Sequence, residues 1–283
     1  MISRPRSETR DEKLHIINVM TTDWFSLTLA FLTSIVAAAM NSVAGGGTLL
    51  TFPLLIALGL DGKTANATST IGLWAGSLGG AWGYRNEVMH NSALFWPFFL
   101  SSLLGGIVGS FIFLYTEKGI FNGIVPWLIL AATLLFACQS LVARMMGHKG
   151  ETHFTPSRWP LVAGIQFLVG IYGGYFGAGM GILMLAILAF LGLTNIHRMN
   201  GIKNIAATII NGVTIIIFVV YSFSHPEMVR VDWPIAGVML VGAVLGGYGF
   251  AGIAKKLPIK VVRGIVIAIG LIGAISTAYK TWF

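Results

Sequence analysis

Long apolar runs separated by short polar stretches fill this chain, and the runs fall into two sets. Their lengths predict ten helical segments: 25–43, 48–60, 64–84, 93–115 and 121–143, then 159–175, 182–193, 196–221, 233–253 and 261–281. Most approach the roughly 20 residues that a helix needs to cross a hydrocarbon core about 30 Å thick. Segments 48–60 and 182–193 do not, because each would rise only about 20 Å.

Both short segments belong to a pattern that occurs twice: a glycine-rich break, an apolar piece, then a helix start crowded with small polar residues. The first copy reads AGGGTLLTFPLLIALGLDGKTANATST, 44–70, and the second FGAGMGILMLAILAFLGLTNIHRMNGIKN, 176–204. The repetition extends beyond the glycines. The fourth segment of each set opens with Trp-Pro, at Trp96-Pro97 and Trp233-Pro234, followed at matching distances by Gly105 and Gly109, then Gly242 and Gly246. Each pair forms a GxxxG face, a device for close helix packing.

The only long polar interior stretch, 144–158, divides the chain into a polar tail 1–23, a first repeat 24–143, a linker 144–158 and a second repeat 159–283. If every short segment counts as a crossing or as half of a bent hairpin, each repeat has an odd number of passes and the second lies upside down. The predicted fold is an all-α polytopic membrane protein of two inverted five-segment repeats, each with a short broken or re-entrant helix. Paired interrupted segments in two halves point to a transporter site, because broken backbone at membrane depth is tolerated where it lines a cavity.

Composition agrees with this class. Hydrophobic residues make up 55% and charged residues 10% of the chain, with a mean hydropathy of +0.81, whereas soluble domains carry about 25% charged residues. The formal charge of +8 is spread over tails and short loops, so it speaks to orientation in a lipid bilayer rather than to nucleic acid. Arg85, Arg144, Lys149, Arg158, Arg198, Lys203, Lys255, Lys256, Lys260 and Arg263 would share one side, the cytoplasmic one. The tail would then lie outside, unless 48–60 dips in and returns. Cys138 is the single cysteine, so no internal disulfide is expected. The polar start lacks the early apolar region of a signal peptide, and the first apolar stretch is expected to be retained as a helix.

Candidate chemistry lies where the breaks meet the following helices. Gly45, Gly46, Gly47 and Thr48, and in the second copy Gly177, Gly179 and Gly181, place backbone N–H groups at the positive ends of short helices, which suits an anion. The alternative for these glycines is tight packing or a simple turn. Asn66, Thr68, Ser69 and Thr70 add donors in the first copy, and Asn200, Lys203 and Asn204 in the second. Matching Asn66 with Asn200 sets Ser69 opposite Lys203 and Thr70 opposite Asn204. Asn41 and Ser42 either line a cavity or bond local backbone. Lys203 either fixes a substrate's negative charge, as ionisable residues at depth commonly do, or snorkels to the interface beside His197 and Arg198.

Every Asp and Glu lies in a tail, a loop or a segment end. A buried carboxylate proton relay of the usual kind is therefore not expected. No metal site, cofactor or catalytic group is expected either, since HExxH, paired membrane aspartates and a spaced Ser-His pair are missing. A saturable carrier is the leading reading, with an anion channel or uncoupled uniporter as the alternative.

The doubled motif, AGGGT with Pro53, Gly59 and TANATST, then GAGMG with Gly192 and RMNGIKN, resembles the TauE/SafE family of sulfite and organosulfur-anion exporters. The resemblance runs from about residue 25 to the carboxyl end. It implies a multi-pass protein of the cell inner membrane that exports a small anion, such as sulfite or sulfoacetate, by alternating access at the repeat interface. Many members carry an Ala-x-x-Thr-Ser run in the second motif. Here Asn200-Gly201-Ile202-Lys203-Asn204 stands there, a form associated with another branch, and the second short segment lacks a proline.

Overall fold

The computed structural model describes residues 23–43, 45–85, 96–146, 159–191, 193, 195–249 and 259–282. Ten helices occupy them, and no strand is found among the described residues. The first five are α1 (Trp24–Val43), α2 (Thr48–Ala57), α3 (Gly62–Gly83), α4 (Trp96–Tyr115) and α5 (Lys118–Met146). The second five are α6 (Trp159–Tyr175), α7 (Met180–Phe190), α8 (Ile196–Ser224), α9 (Trp233–Val244) and α10 (Ile259–Trp282), with α9 continued by a π turn at Leu245–Gly249. Most of the polar tail, most of the linker, Ala44, Gly192, Lys255 and Lys256 lie outside the described residues.

The polar punctuation supplies the caps. Asp61 accepts the Thr64 N–H at the start of α3, and Asn195 accepts those of His197 and Arg198 at the start of α8. Asp232 accepts the Ile235 N–H at the start of α9. Such side-chain acceptors satisfy donors that the first turn leaves without a helical partner. The acidic residues at these ends are therefore structural caps.

Among the described residues, α1, α4, α5, α8 and α10 contain stretches long and apolar enough to cross a membrane. The chain is an integral, multi-pass helical protein. With 10 and 11 residues, α2 and α7 rise only about 15 Å. Both end in the same way, with the Leu60 N–H reaching back to the Leu55 carbonyl and the Leu193 N–H to that of Leu188. This is the long bond of a Schellman closure.

Helix packing follows an exchange rule. The fourth helix of each set packs on the first helix of the other, as α4 with α6 and α9 with α1. Likewise α9 packs on α3 as α8 does on α4, α10 touches α2 as α5 touches α7, and the pairs α3 with α8 and α5 with α10 cross between sets. The Trp-Pro glycines create the closest of these approaches. A Cβ at Gly105 or Gly109 would overlap the Phe167 and Ile171 carbonyls of α6, and one at Gly242 or Gly246 those of Phe31 and Ile35 on α1. Dispersion between backbones holds helices together where lipid competes for every apolar side chain.

Candidate anion-binding site

The two breaks meet in the interior. Gly45 and Gly177 occupy matching places with φ of 77° and 75°, and their N–H groups bond five residues back, to the Met40 and Tyr172 carbonyls. Positive φ turns the chain out of the helix at each place, and glycine adopts it without the Cβ penalty. A Cβ built on Gly45 would lie 3.2 Å from the Gly181 Cα, so the first break abuts the start of α7. The Tyr172 hydroxyl donates to the Ala178 carbonyl and secures the second break.

Between the breaks lies a cavity of about 40 Å³. A water needs about 10–15 Å³ on this measure, so the space suits a few waters or one small ion. Ten residues named from sequence line it. They are Asn41, Gly45, Gly46, Thr48, Ser69 and Thr70 from the first set, with Gly177, Gly181, Lys203 and Asn204 from the second.

Lys203 is the cationic member of the lining and is 1% exposed. Its Nζ donates to the Asn41 carbonyl in the last turn of α1 and to Asn200 Oδ1, both at 3.0 Å. It does not snorkel. The carbonyl end of a helix carries partial negative charge, which together with the Asn200 amide offsets the cost of burying an ammonium. No ion pair with Lys203 is present among the described residues, and no carboxylate lines the cavity. His197, by contrast, is exposed on the first turn of α8.

The other named residues build the walls from behind. Gly47 donates its N–H to Asn41 Oδ1 at 2.7 Å, so Asn41 both lines the cavity and bonds local backbone. Asn66 donates to the Tyr175 carbonyl at 3.1 Å. Thr68 accepts from the Asp232 N–H at 3.0 Å, tying α3 to the start of α9. Gly179 is the left-handed cap of α7, and Asn200 holds Lys203. Ser42 continues α1, and its side chain lies outside the described residues.

Sequence reading missed Leu73, Ser77, Phe176, Met180, Ala207 and Asn211 in the lining. A signal for four of them was present. Thr70, Leu73 and Ser77 have the same spacing as Asn204, Ala207 and Asn211, so the matched register continues for two turns along one face of α3 and of α8. Lys63 was missed as well. It is buried and donates to the Leu114 and Thr116 carbonyls at 3.0 and 2.8 Å, sealing the end of α4 away from the cavity.

Comparison with known proteins gives a consistent result. The family model described as "Sulfite exporter TauE/SafE" matches residues 30–277. A "Probable membrane transporter protein" of Haemophilus influenzae is 24% identical over 265 residues, covering 91% of this chain and 96% of its own. The "Probable membrane transporter protein YfcA" of Escherichia coli K12 is 24% identical over 260 residues, with 90% of each chain covered. One from Xylella fastidiosa, also named "Probable membrane transporter protein", is 27% identical over 269 residues, covering 88% of this chain and 93% of its own. No solved structure matches the chain.

Proposed function

The chain belongs to the TauE/SafE family of membrane transporters, and from that premise we propose that it exports a small anion across the cell inner membrane. The substrate is sulfite or an organosulfonate such as sulfoacetate. One observation carries the anion assignment: a buried lysine ammonium forms part of a cavity wall that has no carboxylate. In a low-dielectric interior that charge favours an anionic occupant. The Asn204 amide carries donors, the Ser69 hydroxyl offers one when Thr51 donates to it, and the Thr70 hydroxyl proton is held by the Asn66 carbonyl.

The exchange of packing partners between the two sets of helices supports a two-fold relation. Counted with each short helix as a pass or as half of a bent hairpin, the segments of each set are odd in number, which makes that relation an inversion. Alternating access then consists of one set rocking against the other around the fixed cavity. The side bearing Arg85 and Arg198 is cytoplasmic under the positive-inside tendency.

The test is counterflow of labelled sulfite into liposomes holding the purified protein, with competition by sulfoacetate, sulfate, thiosulfate and a neutral amino acid. Saturable exchange, competed by one sulfur oxyanion and weakened by Lys203→Ala, is the expected result. Flux that never saturates would make the protein a channel. Absence of exchange with every anion from folded protein would remove the substrate assignment.

A further inference from the structure

The two halves treat one equivalent position differently. In the second half, Asn200 and Lys203 lie one turn apart on α8, and the lysine ammonium bonds both Asn200 Oδ1 and a carbonyl in the last turn of α1. In the first half, Asn66 and Ser69 occupy the matching places on α3. There Asn66 Nδ2 bonds the Tyr175 carbonyl at the end of α6, the first helix of the opposite set. The geometry repeats, but the positive charge does not.

Asn66 is 1% exposed, and its Oδ1 is buried without a hydrogen-bond partner. A buried polar atom in that condition has lost its hydration without replacement, and a bound water or ion would restore a partner. The Ser69 hydroxyl is engaged with Thr51 Oγ1 at 2.6 Å, a contact that ties α3 to α2. Hydroxyl oxygens keep a lone pair while donating, so the pair adds acceptor capacity one turn along α3 from Asn66. The carboxyl end of α6 adds partial negative charge. Amide, hydroxyl and helix-end carbonyl oxygens form the donor set of a small hard cation in a broken-helix transporter.

We propose that a sodium ion binds against Asn66 Oδ1, beside the Ser69–Thr51 pair and the end of α6, and supplies the charge that Lys203 provides in the other half. The proposal deepens the transport reading, on which its coupling role rests. With sodium near Ser69, which also lines the cavity, and the lysine across from it, an anion between them is held by two positive charges. Sodium and anion then strengthen each other's binding by the same factor.

The test uses the purified full-length protein and measures its melting temperature in sodium, potassium and choline chloride at equal ionic strength, without a sulfur anion. Wild type is expected to show a saturable rise specific to sodium. Asn66→Ala should lose that rise. Ser69→Lys, which supplies the ammonium from the chain, should melt in choline as wild type does in sodium and gain nothing from sodium. A wild-type melting temperature that ignores the cation would assign a water to Asn66 and overturn the proposal. So would a sodium rise that survives in Ser69→Lys. Anion counterflow is scored separately, so a sodium response in protein that moves no sulfur anion would remove the substrate assignment and leave the cation site standing.

Discussion

The start of α3 and the start of α8 are copies of one design with different electrostatics. Both place an asparagine, then a polar residue one turn later, then Thr70 or Asn204, against the closing turn of the opposite set's first helix. In α8 the polar residue is a lysine whose ammonium makes two of its three possible hydrogen bonds, to Asn41 and Asn200, and in α3 it is a serine bonded to Thr51. Duplication supplies the frame, and divergence at one position makes the site polar in its charge. An anion between identical halves would meet two equal walls. Here the chain itself lends charge to one wall only, through Lys203, and the facing wall carries the Ser69 and Thr70 hydroxyls.

Exchanging the matched residues breaks that comparison most directly. Lys203→Ala removes the cation and leaves Asn200 Oδ1 without a partner, and hydrogen bonds to charged groups contribute about 1.5–3 kcal/mol each. Anion affinity should fall at least about tenfold, whereas Ser69→Ala should change it by a factor of about three or less. Counterflow half-saturation measures both, and equal losses would remove the distinction between the walls.

The matched glycines come next. Gly45→Ala and Gly177→Ala each put a Cβ at positive φ, at a cost of about 1–2 kcal/mol. Gly45 also abuts Gly181, while a Cβ at Gly177 would meet the Gly173 carbonyl within its own half. Melting temperature should fall in both variants. Transport should fall further in Gly45→Ala, and the reverse order would show that contact between the breaks is unimportant.

Smaller changes sharpen the picture. Thr51→Val removes the buried bond to Ser69 and should lower stability by about 1 kcal/mol, with thermal unfolding as the readout. Asn211→Ala and Ser77→Ala, at matched places two turns along the lining, should each weaken anion half-saturation by about two- to threefold, the loss of one neutral hydrogen bond or less. An effect as large as that of Lys203→Ala would shift the centre of the site toward this end of the cavity.

Much of this was legible in the chain. The ten helices follow the apolar runs closely, because a helix in a bilayer must satisfy its backbone internally and is bounded by hydrophobic length. Their ends drift where local capping decides: α3 starts at Gly62 because Asp61 caps it, and α8 runs on to Ser224. The matched Asn66 and Asn200 also emerge from spacing alone. Cavity lining is harder to read, because Thr68 and Ser69 are neighbours on one helix turn yet face a structural contact and the cavity respectively. Phe176 and Met180 offer no polar signal at all.

Apolar length, glycine placement and internal repetition, all readable residue by residue, determined the class of this protein, its helices and the register between its halves. Tertiary structure decided which buried lysine serves the cavity. Lys63 and Lys203 both lie near helix starts, beside small polar residues, and both are buried. Only the packing of α4 turns Lys63 into a helix seal, and only the approach of α1 holds Lys203 at the cavity wall. The physical reason is that a buried ammonium goes where carbonyl oxygens converge, and those oxygens come from helices distant in sequence.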